Sequence, residues 1–183
     1  MRGLIAIALS VLAATGCGVQ ANSDATGEKR DCETITKLAD VQTEVRSIDL
    51  GIQKDRPAEM TLAALPPLVE HYRAAVTSYR ELEQRAREEL NRLNAEPQPD
   101  ADLVETWSVM VDSLRFRRDG IEFFANAFAN PESLGSEVIQ ARAQRLEREQ
   151  DGLNKQLEAR MNETLVARGF EVRADGQFVL DCP

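Results

Sequence analysis

Four stretches of this 183-residue chain repeat apolar side chains at intervals of three and four, and proline-bearing segments separate them. That spacing puts the apolar residues of a stretch on one face of an α-helix and does not match a strand, whose side chains alternate with a period of two. Each face has to be buried against another, so the chain is restricted to packed helices. The first stretch runs from Asp31 to about Lys54, with Ile35, Leu38, Val45, Ile48 and Ile52, and stops before Arg56-Pro57. The second carries Leu65, Val69, Tyr72, Val76, Tyr79, Leu82, Ala86, Leu90 and Leu93. Pro66 and Pro67 suit a first turn, so this helix is predicted to begin near Leu65, after a connection or separate short turn over Pro57–Ala64. It ends before Glu96-Pro97-Gln98-Pro99.

The third stretch starts at Pro99 or Asp100, shows Leu103, Trp107, Val111, Leu114, Ile121, Ala125 and Phe128 on one face, and ends at Asn130-Pro131. The fourth, Glu132 to Arg168, carries Ile139, Leu146, Leu153, Leu157, Met161 and Leu165, with Gly152 as a kink site and Gly169 at the stop. The tail, Phe170 to Leu180, alternates weakly around Asp175-Gly176, a hairpin-turn pair. Short connections between amphipathic helices predict an elongated up-down four-helix bundle over residues 31–183, finished by a C-terminal strap or small hairpin. An extended two-helix coiled coil is the competing architecture.

Ahead of the bundle, MRGLIAIALSVLAATGCG has one basic residue, Arg2, then an apolar run from Leu4 to Ala14 that is too short for a permanent transmembrane helix. It ends in Ala14-Thr15-Gly16-Cys17, which resembles the lipobox of bacterial lipoproteins, where small residues precede a cysteine that is lipidated and becomes the mature N-terminus. The family pattern prefers Leu at the place of Ala14, and here Leu12 lies two positions further back. The resemblance covers the leader alone. It implies a signal peptide over residues 1–16, a lipidated Cys17, and a domain held at a bacterial membrane, in the periplasm or outside the cell. The alternative is a secreted soluble protein cut by the general signal peptidase near Val19-Gln20-Ala21. Gly18 to Arg30 has almost no large apolar side chain, so residues 17–30 read as the lipid-bearing cysteine and a flexible linker reaching roughly 20 Å.

The chain carries 31 acidic against 22 basic residues, a net charge of −9, and removal of the leader takes away only Arg2. Arginines are interleaved with glutamates, as in ELEQRAREEL and ARAQRLEREQ, which is a solvated helix surface laced with ion pairs and argues against a nucleic-acid partner. With Cys17 assigned to lipid, two of the three cysteines remain. Cys32 and Cys182 are expected to pair in an oxidising compartment, closing nearly the whole domain for up to about 4–5 kcal/mol in the chain-entropy model.

Two polar residues interrupt the apolar faces. Glu83 lies between Tyr79 and Ala86, and Arg118 between Leu114 and Ile121. They are nearly equidistant from the Pro97–Pro99 loop, so an antiparallel hairpin sets them level as an inward ion pair, with Gln150 as a neighbour. Such a pair either pins helix register or, with Tyr79 and Gln150, lines a pocket for a small ligand. The third helix has a second stripe, Val109, Phe116, Gly120, Phe123 and Ala127, roughly opposite Trp107. It is either an exposed patch for a partner protein or a second copy, or the seat of the C-terminal strap. The strap is preferred, with the first helix starting near the level of Phe116 and Phe170 and Phe178 packing there.

No catalytic residue, metal site or cofactor is expected. There is one histidine, His71, and no E-x-x-H, C-x-x-C-H, G-x-S-x-G, Walker or dinucleotide motif. The pattern points to an envelope lipoprotein whose helical domain binds another protein, as adaptor, inhibitor or assembly factor, with a small-ligand-binding bundle as the alternative.

Overall fold

A computed structural model describes residues 25–55, 57, 61–134, 136–168, 171–172 and 178–179. The leader, including Cys17, lies outside the described residues, and so does Cys182. Four long helices follow one another: α1 Ala25–Lys54, α2 Leu65–Asn94, α3 Ala101–Ala129 and α4 Glu137–Ala167. Two two-residue strands, β1 Glu171–Val172 and β2 Phe178–Val179, pair antiparallel, Glu171 with Val179 and Val172 with Phe178. The fold is therefore the expected all-α four-helix bundle with a short hairpin tail rather than a two-helix coiled coil.

Each boundary has a local cause. A single 3-10 turn, Leu62–Ala64, leads into α2, whose first turn accepts proline because its N–H groups need no partner inside the helix. Asp100 caps α3, its carboxylate accepting from the backbone N–H of Asp102 and Leu103 at 3.0 Å each. Two boundaries differ from the sequence expectation. The first helix starts at Ala25, so six residues of the stretch read as linker are helical. The fourth starts at Glu137 instead of Glu132, because Pro131 opens a separate 3-10 turn and Ser136 is the better cap: its backbone is extended and its hydroxyl accepts from the Ile139 N–H. The helix then passes unbroken through Gly152.

Cross-links fix the arrangement. α1 runs antiparallel to α2, as Lys37–Glu89, Glu44–Arg85 and Tyr79–Asp49 show, and α3 runs antiparallel to α4, as Thr106–Thr164 and Arg117–Asn154 show. The core threads all four helices, with Ile35, Leu38, Tyr79, Trp107, Leu114 and Leu165 among its most buried members. It is not uniform along the bundle. At the entry end, where α1 starts and α4 finishes, every helix buries side chains. Toward the far end α1 buries none after Val45 and α4 none before Leu157, while α2 and α3 keep Leu65, Leu68, Val69, Ala125 and Ala127 covered.

Candidate functional site

The polar residues that break the apolar faces form two systems side by side across the middle of the bundle. Glu83 is 4% exposed. One of its carboxylate oxygens accepts from Arg118 of α3 and the other from Arg87 one turn further on, at 2.6 and 3.0 Å. Arg118 also donates to Asp119 at 2.7 and 2.9 Å. Asp119 and Glu83 together hold its guanidinium above its ordinary pKa despite some desolvation. The inward pair read from the sequence is thus present, but Arg118 leans toward the surface and completes its bonds there.

The second system links all four helices. The Tyr79 hydroxyl of α2 donates to Asp49 of α1 at 2.6 Å, and the other oxygen of Asp49 accepts from Arg117 of α3. Arg117 donates onward to Asn154 of α4 at 2.7 Å, and Gln150 donates to the same Asn154 oxygen at 2.9 Å. Burial first, and then the neighbouring Asp49 carboxylate, push the Tyr79 hydroxyl far above its usual pKa, so it remains a donor at any physiological pH. Gln150 therefore joins Arg117 through Asn154, with no hydrogen bond to Glu83 or Arg118 among the described residues. The arginine with the less exposed side chain is Arg117, at 13% against 22% for Arg118. Asp49, Arg117 and Asn154 were missed from the sequence. Their signal is weak: each sits at the margin of its helix's apolar face, next to Ile48, Arg118 and Leu153.

Two clefts accompany these systems. One of about 580 Å³ lies between α1 and α2, lined among others by Glu44, Ile48, Glu81, Leu82 and Arg85, and the Arg85–Glu44 pair closes across it at 2.6 Å. Another of about 220 Å³ lies between α3 and α4, lined by Asp102, Arg160, Glu163, Thr164 and Ala167. Neither is lined by Tyr79, Glu83, Arg118 or Gln150.

The second stripe of α3 divides. Val109 and Ala127 are buried, whereas Phe116, Gly120 and Phe123 are only half-covered. α4 flanks the stripe, and Arg142 lies over the Phe123 ring at 5.2 Å. The described strands of the hairpin follow Arg168, which bonds Asp100 at the start of α3, and Phe116 is sixteen residues, about 24 Å, further along that helix; the rest of the expected strap lies outside the described residues. The start of α1 is at the Asp100 level too, since Arg168 also reaches Asp31 at 3.6 Å, and not at the level of Phe116. The antiparallel run of α1 back along α2 explains this correction. The packing expected of Phe170 and Phe178 lies outside the described side chains. At the far end Phe123, Phe124, Phe128 and Tyr72 form a continuous run of half-exposed rings at centroid spacings of 5.3, 6.2 and 5.4 Å.

At the entry end several charges are tied together across helices. Glu89 would be raised by burial, but hydrogen bonds from Arg92 and Lys37 outweigh this and hold its carboxyl below the ordinary value. Arg168 ties three helices together through Asp31, Asp100 and the Thr164 carbonyl. Among the described residues there is no group of three or more histidine, cysteine or acidic side chains placed to hold a metal ion, and no helix long and apolar enough to cross a membrane. No protein-family model, curated protein or solved structure matches the chain.

Proposed function

We propose that this is an exported, lipid-anchored protein whose helical bundle binds another protein of the bacterial envelope, as adaptor, inhibitor or assembly factor. The observation that carries the reading is the divided stripe of α3. Its middle, Phe116, Gly120 and Phe123, remains half-uncovered beside a stretch of α4 that buries no side chain, although the same helix packs tightly elsewhere. Half-covered apolar rings at the thinly packed end of the bundle suit a partner surface. The polar systems favour register over ligand capture, because Glu83 and Asp49 already have partners within the chain.

The anchor rests on Cys17 and its lipobox-like surroundings. The Cys32–Cys182 disulfide is part of the same proposal. Its support is that Cys32 is buried at the entry end and that Arg168, from which the hairpin departs, is ion-paired to Asp31. Metabolic labelling with palmitate, lost in Cys17→Ala, tests the anchor, and intact mass with and without reductant tests the disulfide. The interaction is tested by chemical cross-linking on intact cells, detergent extraction and mass spectrometry. One reproducible envelope partner, lost with Phe123→Asp in a still-folded chain, supports the reading, and recovery of the protein alone removes it.

A further inference from the structure

Gln42 of α1 donates to the Met161 sulfur of α4 at 3.2 Å, and among the described residues this is the direct hydrogen bond between the two helices that lies furthest from the entry end. Seven residues on in α1 and seven back in α4, about 10 Å along the bundle, stand Asp49 and Asn154. Here the link between the helices passes through a third. Arg117 of α3 enters from below, one guanidinium nitrogen donating to Asp49 and the other to Asn154 at 2.7 Å. Its side chain is 13% exposed, so most of its bonding has to come from within the chain.

Beyond this level both helices are lightly held. After Val45, α1 has Ile48 and Ile52 half-covered and buries no side chain, and before Leu157 the half-covered apolar residues of α4 include Ile139, Leu146 and Leu153. Among the described residues their polar ties to the other helices are few. On the α1 side they are Asp49 with Tyr79 and Arg117, and Asp55, just past the helix, with His71 at 3.4 Å. On the α4 side they are Asn154 with Arg117 and the Arg142–Phe123 contact. Arg117 is common to both. When either acceptor leaves, the guanidinium loses one of its two holding points and turns toward the remaining one or toward water, which weakens the second tie as well. Groups that share a partner in one network respond together and not additively.

We propose that the outer segments of α1, residues 46–54, and of α4, residues 137–156, open as one unit latched by Arg117, while the α2–α3 hairpin and the entry end stay folded. Release of Asp49 on one helix then releases the segment on the other, and the same holds for Asn154. The latch is a property of the fold and stands whether or not the ring face of α3 binds a partner.

The test is native-state hydrogen exchange of the full chain, read by mass spectrometry at a series of low urea concentrations. Residues 47–54 and 139–153 should share one opening free energy and one urea dependence, with protection around Leu38, Leu103 and Leu165 well above both. Arg117→Met keeps the apolar stem and removes both bonds, and should speed exchange in the two segments together by about tenfold or more. Asn154→Ala changes α4 alone and Asp49→Ala changes α1 alone. Each should speed exchange in the other helix's segment by a factor similar to that in its own.

Unequal opening free energies of the two segments in the unaltered chain overturn the inference, and this is settled before any variant is made. Single-bond variants that act only within their own helix overturn it too, because the segments then open separately. So does Arg117→Met without effect on either segment. An equal loss of protection at Leu103 and Leu165 also removes it, since Arg117 would then support the whole bundle and not a latch.

Discussion

The two ends of the bundle are built from the same four helices and are held by different means. At the entry end Ile35 and Leu38 of α1 meet Leu93 of α2, Leu103 and Trp107 of α3, and Leu165 of α4, all nearly free of solvent. Arg168 and the Lys37–Glu89–Arg92 cluster tie their polar margins together. At the far end only the α2–α3 hairpin keeps buried side chains, and the outer halves of α1 and α4 lie against it half-covered. Between the two, the Tyr79–Asp49–Arg117–Asn154 chain marks where four-helix packing gives way to two-helix packing. One end of a domain can thus supply most of the stability and leave the other free to bind.

The comparison breaks first if core truncation costs the same at both ends. Trp107→Ala should lose about 3–5 kcal/mol in urea denaturation, and Phe128→Ala, which removes a half-exposed ring, well under half of that. Equal losses would mean that the far end is as tightly packed as the entry end.

The middle can be probed next. Glu83→Ala leaves Arg118 with Asp119 alone and should cost about 1.5–3 kcal/mol for the lost charged hydrogen bonds, whereas Glu83→Leu together with Arg118→Leu should recover much of it. A double mutant as unstable as the single one would show that the pair contributes net stability and not only register.

Acid should then act on the entry end. The Glu89 and Asp100 carboxyls lie below their ordinary values of 4.5 and 3.8, Glu89 through its arginine and lysine despite burial, Asp100 through its cap bonds and Arg168 despite burial. Their stabilisation is complete above those values and is lost as pH falls through the depressed folded ones. Asp31, raised chiefly by burial, acts oppositely: its protonation favours the folded state and offsets part of the loss. Hydrogen exchange between pH 6 and pH 3 should therefore show protection around Ile35 and Leu165 falling faster than that around Val69. The smallest effect belongs to the far end: Arg142→Ala removes one cation–π contact and should change the urea midpoint by no more than about 0.5 kcal/mol equivalent.

The helices were legible because their cause is local. Apolar period, proline breaks and Asp100 place α2 and α3 to within a residue or two. The early start of α1 was not, since Gly18 to Arg30 lacks an apolar stripe, and helix continuation into it depends on the turn already formed at Asp31. The Glu83–Arg118 pair was legible because both members interrupt a face and one loop sets their level. The Asp49–Arg117–Asn154 chain was not. Arg117 sits at the margin of its face, and its long side chain reaches an acid and an amide on two helices whose placement beside α3 no stripe encodes.

The chain enters α1 and leaves α4 at the same end, where Arg168 bonds both Asp31 and Asp100. If Cys17 is held in lipid, the pull of a tethered partner along the bundle axis would pass through that clasp and along the 29-residue α3, about 43 Å, to the rings. The domain would then work as a stiff post loaded in tension, its resistance set by the Arg168 clasp and the entry-end core, while the half of α1 beyond Val45 would carry little of the load.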